Sequence, residues 1–147
     1  EDGIRDYKVT GVQTCALPIL VADDSGLEVD ALDGAPGVHS ARYGGDSLDD
    51  AGRVDTLLAA VRGADDRSAR FRCVLVAIAP DGTETVADGT LEGALAEAPR
   101  GANGFGYDPI LIPRGETRTC GELAPEEKDA ISHRGAAARA LRDTLGL

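Results

Sequence analysis

The sequence predicts a mixed α/β domain built on an extended, at least partly antiparallel sheet. Three observations predict it. FRCVLVAIAPDGTETVADGTLEGALAEA carries an apolar run, a turn and a more polar return, the pattern of a hairpin. GLEVDAL alternates apolar and acidic residues, as a half-buried strand does. A segment with an apolar stripe at helical spacing follows residues able to cap a helix, and Ser132 can cap another.

Taken in order, LVA from Leu20 reads as a short buried strand delivering Asp23 and Asp24 at its end. GLEVDAL is then a second strand, with Leu27, Val29 and Ala31 on one face and Glu28 and Asp30 on the other. DGAPG is turn chemistry. Asp46 or Ser47 caps a helix running to about Val61, with Val54, Leu57, Leu58 and Val61 on one stripe, and Gly63 ends it. The hairpin's first strand runs to Ala79, and PDG makes the turn. GANGFGYDPILIP is a glycine-rich loop entering another apolar strand. Pro125 opens a short helix with Glu126 and Glu127 at its positive end. Ser132 caps the last helix, His133 to about Leu145.

The chain has 147 residues, which fits one domain. Its net charge of −11 argues against sequence-independent nucleic-acid binding, which needs lysines and arginines to displace counterions from phosphates. It does not argue against a single nucleotide. No run approaches the roughly 20 apolar residues of a membrane span, and no secretory leader is legible. Cys15, Cys73 and Cys120 are an odd set without CxxC spacing, which predicts neither a disulfide framework nor a zinc site. A reducing, cytoplasmic setting follows, with Cys73 as a small core residue. Residues 1–19 differ in character: VTGVQTCALPI resembles the translation of a sequencing-adapter oligonucleotide. They are read as a non-native segment, the alternative being an irregular native arm, and the domain is taken as 20–147.

Three stretches could carry chemistry. In ADDSG, Asp23 and Asp24 offer oxygen ligands of the kind Mg²⁺ takes, and a carboxylate can also accept a proton from water. Neighbours on a strand point to opposite faces; at a strand end that rule loosens and both can line a cleft. Ser25 and the Gly26 backbone can donate to phosphate. A bare DDSG is more often a capped turn with solvated acids. In GANGFGYDP, Phe105 and Tyr107 flank Gly106 on a loop of small residues, a setting suited to stacking a planar base. Asp108 can accept from a base N–H, but a turn that covers the core edge fits as well. In EEKDAISHRG, Lys128 suits phosphate, and His133 and Arg134 stand at a helix start. Arginine only donates, so it satisfies a ring carbonyl and not an amino group, favouring 6-oxopurines over adenine. Alone, SHR reads as a surface cap. Adjacent acids do not flank a glycosidic bond, so a glycosidase is the poorer fit.

Together, ADDSGLEVDAL with GAPG and SARY, then GANGFGYDPI, ELAPEEK and ISHRG, in that order, resemble the noncanonical purine nucleoside triphosphate pyrophosphatases, the inosine triphosphatase or XTP/dITP diphosphatase family. The resemblance runs from about Leu20 to the C-terminus. It implies an elongated mixed sheet with flanking helices, two lobes around a nucleotide cleft, a homodimer, Mg²⁺, and hydrolysis of ITP, dITP or XTP to monophosphate and pyrophosphate. On it, Asp24 is the general base, Asp23 its acidic neighbour at the metal, and Ser25 and Gly26 part of the same loop. Phe105 stacks the base, Gly106, Tyr107 and Asp108 belong to the base loop, Lys128 contacts phosphate, and His133 and Arg134 read the purine. The family's opening strand and Thr/Ser-x-Asn-x-x-Lys phosphate loop, with the helix, strand and acidic residue that follow, have no counterpart here. That departure leaves a catalytically dead fragment with a purine-binding lobe as an alternative. A hydrolase of modified pyrimidine nucleotides is a third reading. The TCGEL stretch also departs, with Cys120–Gly121 where an aromatic–Ala pair is more usual.

Overall fold

The computed structural model describes residues 20–147. The reading of residues 1–19 as a non-native segment, and Cys15 with it, lies outside the described residues. Five strands form one antiparallel sheet in the order β2-β1-β3-β4-β5. They are β1 Leu20–Val29, β2 Pro36–Gly37, β3 Ser68–Ile78, β4 Glu84–Leu95 and β5 Leu111–Pro113. The helices are α1 Asp50–Ala60, α2 Pro125–Ile131 and α3 His133–Leu145. The predicted class is therefore the observed one: a mixed α/β fold with an antiparallel sheet and flanking helices.

The predicted hairpin is the spine. β3 and β4 pair without a break from Ser68↔Ala94 to Ile78↔Glu84. The Gly82 amide closes the turn on the Ala79 carbonyl at 2.9 Å. The two expected strands around ADDSG are one. β1 pairs with β3 residue for residue from Leu20↔Ile78 to Val29↔Ala69. Its LVA end is exposed, and its buried residues are Leu27 and Val29. DGAPG includes a short strand as well as a turn: β2 pairs with Leu27 and Glu28.

The helices keep their predicted stripes and shift one boundary. α1 is capped by Asp49, whose carboxylate accepts from the Gly52 amide at 2.8 Å, not by Asp46 or Ser47. Val54, Leu57 and Val61 are buried as expected. Gly63 ends this segment with φ of +79°, a left-handed conformation that suits glycine. Pro125 opens α2, and the Glu127 carboxylate accepts from the Ala124 amide at 2.9 Å. Ser132 Oγ caps α3 through the Gly135 amide at 3.0 Å.

One sheet face is apolar and carries two buried clusters. Leu27, Val29, Ala69, Phe71, Leu91 and Leu95 pack with Val54, Leu57 and Val61 of α1 and with Tyr107, Ile110 and Leu111. Farther along the same face, Cys73, Leu75, Ala77 and Ala87 pack with Ala137 and Leu141 of α3. Cys73 is thus the predicted core residue. The opposite face is polar at its middle, where Arg70 donates to Asp30 at 2.7 Å and to Glu92 at 3.0 Å. Among the described residues, no helix is long and apolar enough to cross a membrane.

Candidate active site

A pocket opens at the edge of the first of these clusters, beside the start of α3. It has a volume of about 480 Å³, in the range of small-molecule sites. Leu27 and Phe71 contribute to its lining from the sheet, with Asp50 and Arg53 from α1, the 105–108 loop, and Lys128, Asp129, Ser132, His133 and Arg134 from α2, α3 and the cap between them. Sequence-distant stretches converge here because α1 and α3 cover neighbouring parts of one sheet face.

Phe105 and Tyr107 take different roles, although the sequence treats them alike. Phe105 is 66% exposed and lines the pocket. Tyr107 belongs to the core, and its hydroxyl donates to the Ser40 carbonyl at 2.8 Å. Burial pushes that phenol up to about 12. Tyr107 is therefore a wall and not a stacking platform.

Asp108 also departs from expectation. It is buried, and its Oδ2 accepts from the Phe105 amide at 2.8 Å and from the Lys128 ammonium. The carboxylate thus shapes the protein's own loop. Lys128, expected at phosphate, is held at the aromatic end, its ammonium 5.1 Å from the Phe105 ring centroid. Gly106 donates its amide to Asp50 Oδ2 at 2.9 Å, tying the loop to the start of α1.

Asp23 and Asp24 do not line one cleft. They lie within β1, not at its end, so the two-residue alternation holds and they leave opposite faces. Asp23 shares the Ser25 face, and its carboxylate accepts from Arg134 Nε at 2.8 Å. Asp24 leaves the other face, exposed and unpaired with any described residue. Neither lines the pocket. Among the described residues no group of three His, Cys, Asp or Glu side chains is placed to hold a metal. Gly26 lines the pocket, but its lack of a side chain serves packing: a Cβ there would overlap the Gly37 carbonyl of β2.

Among the described residues, three buried side-chain polar atoms have no hydrogen-bond partner: Ser25 Oγ, His133 Nδ1 and Arg53 Nε. All three residues line this pocket. Buried polar atoms are normally paired, so these three are free to meet polar atoms of a ligand. Ser25 and His133 were legible as candidates. Arg53, Asp50 and Ser40 were not, although Ser40 stands in the SARY stretch; its hydroxyl accepts from the Leu27 amide at 2.8 Å and donates to Gly37 O at 2.6 Å.

His133 sits against Phe71, ring centroids 5.0 Å apart. Burial first, then the Arg134 and Lys128 charges, push its imidazole from 6.5 down to about 4. It is therefore neutral at pH 7. Between these pH values the unfolded chain binds a proton that the folded chain refuses. The stability from neutral His133 is thus complete above pH 6.5 and is lost as pH falls towards 4. The size is about 3 kcal/mol. His133→Gln removes this contribution. The wild-type minus variant difference in urea-unfolding free energy should grow by that amount from pH 4 to 7. A constant difference would refute the buried neutral imidazole.

The comparisons with known proteins bear on the family and the fold. The Ham1 family matches residues 4–144. The dITP/XTP pyrophosphatase of Streptomyces coelicolor is 57% identical over 163 aligned residues, covering 97% of this chain and 81% of that protein. The structure of the Staphylococcus aureus Ham1 protein superposes with a TM-score of 0.82 at 43% identity, covering 86% of this chain and 66% of that one. A HAM1 protein from Coxiella burnetii gives 0.81 at 47% identity, covering 88% and 68%. With sheet, helices and motif order in agreement, the chain belongs to the Ham1 family, the noncanonical purine nucleoside triphosphate pyrophosphatases.

Proposed function

We propose that the chain hydrolyses dITP, ITP and XTP to the monophosphate and pyrophosphate, with Mg²⁺ as cofactor. The observation that carries this reading is the exposed Phe105 ring beside three buried polar groups that lack partners. An aromatic platform with unpaired polar atoms around it suits a planar base with polar edges. The activity named for the Streptomyces relative supports the same choice.

In this reading the base stacks on Phe105, and Arg134 donates to its 6-oxygen. Adenine presents an amino group there and leaves donor facing donor. The phosphates run along β1 past Ser25. β2 covers β1 only at Leu27 and Glu28, so Leu20–Gly26 form a strand edge among the described residues. A polyphosphate crossing that edge reaches the Asp24 face. There Asp24 accepts the proton of the attacking water, oxygen bonds to the α-phosphorus, and the bond to the bridging oxygen breaks to release pyrophosphate. A single carboxylate with substrate phosphates is an ordinary Mg²⁺ environment, so Asp24 is the proposed ligand, and the ion supplies charge neutralisation when bound. Asp23 orients Arg134. A homodimer working in the cytoplasm completes the proposal, and light scattering on the eluting peak tests the dimer.

The purified chain should release pyrophosphate from dITP and XTP, not from dATP, and EDTA should stop it. Asp24→Asn should lower turnover about 10³-fold while IMP binding persists. No release from a folded chain would overturn the activity. Unchanged turnover in the variant would overturn the role of Asp24 alone.

A further inference from the structure

The pocket holds a second guanidinium that the reading above leaves unused. Arg53 lies in the first turn of α1, its side chain 14% exposed. Its Nε is buried and bonded to no described residue. Its Nη1 is 3.6 Å from Asp50 Oδ1, too long for a hydrogen bond. The neighbouring Tyr107 hydroxyl donates to the Ser40 carbonyl and makes no hydrogen bond with Arg53. A guanidinium has only donors, so what it lacks is an acceptor. Leaving buried donors unmatched is costly, and a ligand acceptor removes that cost.

The place of Arg53 says which part of a ligand it meets. Asp50, in its own helical turn, accepts from the Gly106 amide, so the start of α1 that carries Arg53 is fastened to the loop bearing Phe105, at the base end. Arg134 approaches from α3 and is anchored by Asp23 on β1. Two guanidiniums thus enter one pocket from different elements. Reading a 6-oxygen alone admits guanine, which shares that oxygen with hypoxanthine. A donor at the 2-position changes the outcome: it pairs with xanthine's 2-oxygen, has nothing to meet on hypoxanthine, and opposes guanine's 2-amino group.

We propose that Arg53 is a specificity-determining residue that reads the purine 2-position, favouring xanthine and rejecting guanine. The proposal rests on the pocket being a purine site, as proposed above. Its test is equilibrium binding of XMP, IMP and GMP to the full chain, alongside pyrophosphate release from XTP, ITP and GTP. Wild type, Arg53→Gln and Arg53→Lys are compared. Glutamine keeps much of the stem and adds an acceptor for an amino group; lysine keeps the charge and loses the fork. In Arg53→Gln the XTP:ITP ratio of kcat/KM, and the matching affinity ratio, should fall about tenfold and the GTP:ITP ratio rise about tenfold. Arg53→Lys should lose part of the xanthine preference while still rejecting guanine, which keeps the test intact if the glutamine variant does not fold. Ratios unchanged within about twofold, with IMP still bound, would overturn the proposal and leave the purine site standing. A folded wild-type chain that binds none of the three monophosphates would overturn both.

Discussion

Lys128→Met is expected to lower the unfolding free energy by about 3 kcal/mol, well above the loss from an ordinary surface ion pair. The reason is the partner left behind. The Asp108 side chain is 3% exposed, and among the described residues its carboxylate accepts from only the Lys128 ammonium and the Phe105 amide. Methionine keeps much of the stem and removes the charge, so a buried carboxylate faces one neutral donor. The same change removes the cation over the Phe105 ring and loosens the loop that presents it. The double variant Lys128→Met, Asp108→Asn should recover most of the lost stability, because no buried charge then remains. Urea unfolding of the four proteins in a double-mutant cycle measures this. A loss under about 0.5 kcal/mol for the single variant would mean that water or another group already satisfies Asp108.

Gly89→Ala is expected to cost about 3 kcal/mol and to lower kcat/KM about 100-fold, although Gly89 does not line the active-site pocket. It lies in β4 opposite Cys73, on the face that α3 covers. A Cβ there would overlap the His133 carbonyl and the Ala137 amide nitrogen, and would stand 3.0 Å from Ala136 Cβ. The obstacle is helix backbone, which cannot rotate away as a side-chain end can. The first turn of α3 must lift, and His133 and Arg134 move with it. The Gly89 backbone is not in a left-handed conformation, so the effect isolates contact from backbone strain. Unfolding and steady-state kinetics test both parts. Unchanged stability would show that α3 does not rest on β4 as described.

Much of the fold was legible because it rests on local rules. The β3–β4 hairpin follows from an apolar run, a PDG turn and a return. Ser132 and Pro125 mark helix starts by chemistry that acts within one turn. The site was legible as a set of stretches, and Phe105, Ser25, His133 and Arg134 do meet in one pocket. Their roles were less legible. Phe105 and Tyr107 are two residues apart and alike in sequence, and only the packing of α1 and Ser40 sends one to solvent and the other to the core. Asp23 and Asp24 looked like a pair at a strand end. The ladder with β3, some fifty residues away, extends the strand through them and turns them to opposite faces. Arg53 carried no motif and emerged only because α1 lays it against the base loop. The sequence by itself determined the class of fold, the starts of α2 and α3, the hairpin turn and which stretches carry the chemistry, since each depends on residues close along the chain. Which side chain faces the pocket, and which is consumed in holding another, was decided only by the tertiary structure, because pairing register and helix placement are set by contacts between distant segments.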